Sequence, residues 1–136
     1  IKIVIDTNLL IAGRWNRRSS SKRILDICLE GAVQGVYTPQ IKDENLYILG
    51  KVKAPKEYLD KVIRFYNLSK RAKYEEKRVT ASRDFSDNRF LEAALAGKAD
   101  YIISSDRHLL ELEEFRGIRI VKPSEFIKII GDMVPG

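Results

Sequence analysis

Apolar residues recur along the chain in two periods, and the alternation between them sets the expected architecture. Short, nearly continuous apolar runs at 2–5, 36–38, 101–104 and 118–121 read as buried strands, with 78–81 as a further candidate. Between them lie segments with helical spacing. Residues 19–30 offer serines for an N-cap, an apolar stripe at Ile24, Ile27 and Cys28, and Gly31 to stop the helix. Thr38-Pro39 opens a helix over 39–49, with proline at its favoured first position. A polar connection at 50–55 precedes a helix over 56–69, where Leu59, Val62, Ile63 and Tyr66 share a face. Helices are also predicted at 87–96, ended by Gly97, and at 107–113 and 124–130.

Strands separated by helices pair in parallel through right-handed crossovers and carry helices on both faces. The prediction is one α/β domain over residues 1–136, of three layers, with a central parallel sheet flanked by helices. In such sheets the functional crevice lies beyond the carboxyl ends of the strands. Asp6, after Ile3-Val4-Ile5, and Asp106, after Tyr101-Ile102-Ile103-Ser104-Ser105, both fall at that edge.

Composition narrows the classes. With 136 residues and 44% apolar content the chain suits one globular domain rather than a disordered segment. The one cysteine, Cys28, has no internal partner, sits among apolar neighbours, and reads as an inert buried thiol in a reducing cytoplasm. No signal-like segment opens the chain, and no apolar run approaches the roughly 18 residues of a membrane span. The chain begins at Ile1, so an initiator Met is expected to be missing from it. A net charge of +6 favours a polyanionic partner such as nucleic acid. The rival explanation is a charged surface of thermophile type, which abundant Lys, Arg and Glu beside only two Gln would suit.

Against that basic background four acids stand out. Singly, each has a structural explanation: Asp6 as a turn residue, Asp87 and Asp106 as helix caps. Glu44 resists one, because it borders the buried stripe of its helix while Asp43 projects to the opposite side. Together, carboxylates about 4 Å apart repel by roughly 4 kcal/mol at an effective dielectric near 20. Such a site must protonate, spread or bind a cation. Hard oxygen donors without a His or Cys set favour Mg²⁺ or Mn²⁺ and phosphodiester chemistry.

The run 3–11 (IVIDTNLLI), Glu44 within TPQIKDENLYIL, the block 84–110 (DFSDNRFLEAALAGKADYIISSDRHLL) and the closing IRIVKPSEFI resemble the PIN-domain family. The order and spacing are most similar to PIN proteins described as toxins of toxin–antitoxin pairs. The resemblance implies a Mg²⁺- or Mn²⁺-dependent endoribonuclease in which Asp6, Glu44, Asp87 and Asp106 form the catalytic metal site. It implies that Asn8 holds the Asp6 loop, that Ser105 supports the site near Asp106, and that Asp84 adds outer charge. It further implies a homodimer and an antitoxin that covers the active site. Phe85 and Ser86 depart from the proline-containing turn usual in that block, Ser105 stands where glycine is frequent, and His108 where an acid is frequent. No core ligand is lost.

Arg14, Trp15, Arg17 and Arg18 interleave an aromatic with cations after the Asp6 loop, a composition suited to holding RNA phosphates and stacking a base. The basic stretch 70–77, which also carries glutamates, reads as a solvated connection. Two rivals to the nuclease are a catalytically silent PIN-fold module that binds RNA or protein, and an aspartyl phosphatase. Asn8 argues against the second, since that class places an Asp there.

Overall fold

A computed structural model describes residues 1–14, 19–73 and 88–133. In chain order its elements are β1 (Lys2–Ile5), α1 (Thr7–Ala12), α2 (Ser20–Leu29), β2 (Gln34–Tyr37), α3 (Pro39–Lys51), α4 (Lys56–Leu68) and β3 (Lys70–Arg71). There follow α5 (Asn88–Ala96), β4 (Tyr101–Ile103), α6 (Arg107–Leu110), β5 (Glu114–Phe115), β6 (Ile118–Val121) and α7 (Pro123–Met133). The six strands form one sheet in the order β3-β2-β1-β4-β6-β5. All pairs are parallel except β5 with β6.

Side-chain alternation along these strands shows why both faces must be covered. Ile3 and Ile5 face a core shared with α1, α2, α4 and α7, through Leu9, Leu25, Val62 and Phe126. Val4 and Ile102 face the other core, built on Phe90, Leu91 and Ala94 of α5 and Leu109 of α6. A strand buried on both sides reads as a continuous apolar run, which is how β1 reads. Helix α3 bridges the two layers: Ile41 joins the α5 core, whereas Leu49, two turns on, joins the opposite one. Cys28 lies buried on α2, and burial pushes its thiol up to about 12, as befits an inert group. No helix among the described residues is long and apolar enough to cross a membrane.

The three-layer α/β expectation holds, with corrections. The sheet is not wholly parallel, because β5 folds back on β6 through Arg116 and Gly117, both with positive φ (49° and 86°). Two such residues make the tight hairpin turn whose twist suits paired strands. The helix expected at 107–113 therefore stops at Leu110, and Glu113 itself adopts φ 57°. Strand β2 begins earlier than expected, and α1 and β3 were not expected; both are short. The strand expected at 78–81 lies outside the described residues.

One close approach fixes α5 against the sheet. A Cβ on Gly97 would stand 2.1 Å from Val36 Cγ1, far inside contact distance. Gly97→Ala should therefore cost about 1–3 kcal/mol, as overpacking of a filled core does. Chemical denaturation of Gly97→Ala, Val36→Ala and the double variant should show the pair costing less together than the sum of the singles. Strict additivity would refute the contact.

Candidate active site

The two best-placed acids lie at adjoining strand ends. β1 and β4 are neighbours, with Ile5 opposite Ile103, and the sheet order reverses direction between them. A crevice forms at such a switch point because the chain departs to opposite sides. Asp6 follows β1, and its amide continues the ladder by donating to the Ile103 carbonyl at 3.0 Å. Its Oδ1 accepts from the Asn8 amide at 3.1 Å, so Asp6 also N-caps α1. Asp106 repeats the arrangement beyond β4: its Oδ1 accepts from the amides of His108 (2.7 Å) and Leu109 (3.4 Å) and caps α6. The cap reading and the site reading of these acids are therefore compatible. Each cap engages one carboxylate oxygen, Oδ1.

Ser104 joins the two. Its hydroxyl, fully buried, donates to Asp6 Oδ2 at 2.7 Å and accepts from the Asp106 amide at 2.9 Å. A hydroxyl has one proton and two lone pairs, so it can serve both at once. Its own amide donates to the Val121 carbonyl, which ties this junction to β6 as well.

Asp6 is only 3% exposed, and burial pushes its carboxyl above the ordinary range. The Ser104 hydroxyl and the Asn8 amide pull it back down by bonding the charged form. The negative charge of Asp106 raises it, and the positive charge of Arg89 lowers it.

Arg89, on the first described turn of α5, donates from Nη1 to Glu44 Oε2 at 2.5 Å. Glu44 reaches across because α3 straddles both layers at the carboxyl edge. Along α3 the buried positions are Ile41, Asn45 and Leu49, with Ile48 only partly covered. Asn45, fully buried, donates to the Tyr66 hydroxyl at 2.5 Å. Glu44 borders this stripe half-buried and Asp43 is exposed, as expected.

Other expectations fare differently. The supporting hydroxyl was expected at Ser105, but Ser105 is exposed and Ser104 is the residue bonded to Asp6. Asn8 holds Asp6 through its main-chain amide, while the residue itself is exposed. His108 is half-buried. Arg14 bonds the Ile11 carbonyl and lines a cleft with Lys22, Tyr58 and Lys61. Asp84, Asp87, Trp15, Arg17 and Arg18 lie outside the described residues. Among the described residues no three His, Cys, Asp or Glu side chains gather closely enough to hold an ion: Asp6 and Asp106 are linked through Ser104, and Glu44 is bonded to Arg89. Ser104 and Arg89 were missed. A hydroxyl ending a buried run two residues before an acid was a readable signal for Ser104. Arg89 had none, since a cation near a helix start is ordinary.

A model of the PIN domain matches residues 2–108, a span that holds all four acids. The chain belongs to the PIN domain family. PIN domains are in general nucleases and typically use divalent metals. No curated protein sequence matches the chain. Among solved structures, the PIN fold seen here is similar to a chain of VapBC2 from Rickettsia felis, crystallised with a DNA fragment from their promoter. That likeness has a TM-score of 0.57 at 10% identity, over 88% of this chain and 97% of that one, and concerns the fold.

The residues present fit a hard divalent cation. Asp6 and Asp106 supply oxygen donors at one edge, and a buried carboxylate whose protonation is favoured by burial and a like charge gains most from a cation. One or two carboxylates with water suffice for Mg²⁺.

The sign of the Asp6 effect on stability follows from its raised folded value. The folded state holds that proton more tightly than the unfolded state does, so stability falls as pH rises from the ordinary value, 3.8, through the folded one. At neutral pH a penalty remains. Asp6→Asn should thus stabilise the metal-free protein at pH 7 by about 0.5–2 kcal/mol, the usual range for single stabilising changes. The gain over wild type, measured by thermal melting in EDTA, should shrink as pH approaches 4. A variant less stable than wild type at pH 7 would contradict this account.

Proposed function

We propose that this PIN domain is a divalent-metal-dependent endoribonuclease, acting as the toxin of a toxin–antitoxin pair. The observation that carries the reading is the Asp6–Ser104–Asp106 junction, two carboxylates at the switch point of a PIN fold. Asp6 and Asp106 would hold Mg²⁺ or Mn²⁺, with Glu44 and Asp87 joining them as the family resemblance implies. The ion, when bound, acidifies water and offsets charge on the phosphate. The chain's own residues do the rest. The two caps fix the carboxylates before substrate arrives, and Ser104 keeps them in register with each other. Water adds across the P–O3′ bond, leaving a 5′-phosphate on one product and a 3′-hydroxyl on the other.

A polyanionic substrate is supported by charge on the same edge. Helices α2 and α4 lead back to the starts of β2 and β3, so their N-termini lie at the carboxyl edge with Asp6. Arg14, Lys22 and Lys61 line the cleft between those N-termini and the end of α1. Gly13, on its rim, lies seven residues from Asp6, about 10 Å along a helix. Cations at that distance suit phosphates neighbouring the one cut. An antitoxin partner is supported by the likeness in fold to a chain of VapBC2, a toxin–antitoxin complex. A homodimer and a cytoplasmic site of action complete the reading.

The rival, a silent module that binds RNA or protein, is favoured by one observation: Glu44 is held by Arg89 rather than beside Asp6 and Asp106. Purified protein, a mixed RNA pool and Mg²⁺ or Mn²⁺ discriminate. Cleavage should require the metal, leave 5′-phosphates, and fall at least about 100-fold in Asp6→Asn and Asp106→Asn with melting transitions retained. Undiminished cleavage by both variants would refute the site, and a 2′,3′-cyclic phosphate would refute the chemistry.

Lys22→Glu, remote from the acids, should raise KM for RNA more than it lowers kcat, and the effect should weaken with added salt. An unchanged KM at low salt would remove the cleft from the substrate path.

A further inference from the structure

We propose that Arg89 is a tethered counter-ion that competes with the divalent cation for Glu44, so that the chain itself sets its metal affinity. The inference rests on the metal-site reading above. Asp6 and Asp106 are joined through Ser104, while Glu44 on α3 is held by Arg89 on α5. Arg89 bonds Glu44 directly, and its charge lowers the Asp6 carboxyl slightly against the larger upward push of burial. The pair is mostly shielded, with side chains 24% and 30% exposed, so solvent screens it less than a surface pair.

The grip is incomplete. Nη1 serves Glu44, but Nε is buried with no hydrogen-bond partner among the described residues. A guanidinium satisfied on one arm is bound less firmly than a two-pronged one, and the orphaned N–H carries a desolvation cost. Glu44 is therefore neutralised without being locked. A divalent ion offers it twice the charge, and the guanidinium, once displaced, can rotate to satisfy Nε. The rival is a purely structural tie between α3 and α5, which would leave metal affinity unaltered.

Calorimetric titration with Mn²⁺ alone separates the two. Arg89→Gln should lower the melting temperature of the metal-free protein and tighten Mn²⁺ binding roughly three- to tenfold, the equivalent of one partly buried ion pair. Arg89→Lys, which keeps the charge, should stay near wild type, and the gain should vanish when Glu44→Gln is added to Arg89→Gln. Equal or weaker binding by Arg89→Gln would overturn the inference while leaving the metal site standing. A wild-type protein that binds no Mn²⁺ would sink both. Wild type supplies a test free of folding effects: the ¹⁵N resonance of Arg89 Nε should shift on adding Mg²⁺, and an unmoved resonance would count against release.

Discussion

The cost of keeping a charged carboxylate at the end of a buried strand organises this molecule. Asp6 is almost wholly removed from water and faces a second acid across adjoining strands. An uncompensated charge there would be expelled or protonated. The fold compensates it with three fixed donors or charges of different origin: the Asn8 amide from α1, the Ser104 hydroxyl from the end of β4, and the Arg89 cation from α5. Each comes from a different element, so the β1–β4 pairing, the start of α1 and the seating of α5 must all be right for one residue to remain ionised. Gly97 contributes at a distance, because its missing side chain is what lets α5 lie close to β2.

Compensation is partial, since the carboxyl still protonates more readily than an ordinary one. On the proposed metal-site reading, that residue of unfavourable energy is what an incoming cation would relieve. A site whose charges were fully balanced within the chain would have nothing to gain from an incoming cation. Under that reading stability and affinity would be opposed, as they are wherever a protein holds polar groups poised for a ligand.

Sequence patterning made the layer architecture legible because strands buried on both faces cannot be confused with half-exposed ones, and because Gly31, Pro39 and Gly97 mark helix limits. Patterning missed three short elements. α1, β3 and β5 are specified by what surrounds them: a cap at Asp6, the neighbouring β2, and a turn whose two residues accept positive φ. At the site, acid positions could be read from type and spacing, but partner choice could not. Ser104 and Ser105 are adjacent and alike in chemistry; strand register alone sends one inward to both acids and the other to solvent. The pairing of Glu44 with Arg89 joins residues 45 apart on two separate helices, a contact with no local signature.

The hairpin at the far side of the sheet bears on how this chain meets others. A sheet border with a long, flat row of open amides and carbonyls invites another strand to add to it. β5 covers that border of β6 with only two residues, and left-handed backbone at Glu113 on one side and at Arg116 and Gly117 on the other bends the chain away from a straight template. Strand addition would find no run to zip along. Any protein that associates with this flank must recognise side chains, with specificity set by chemistry rather than by backbone pairing, and the same bend guards the border against self-association into extended sheets.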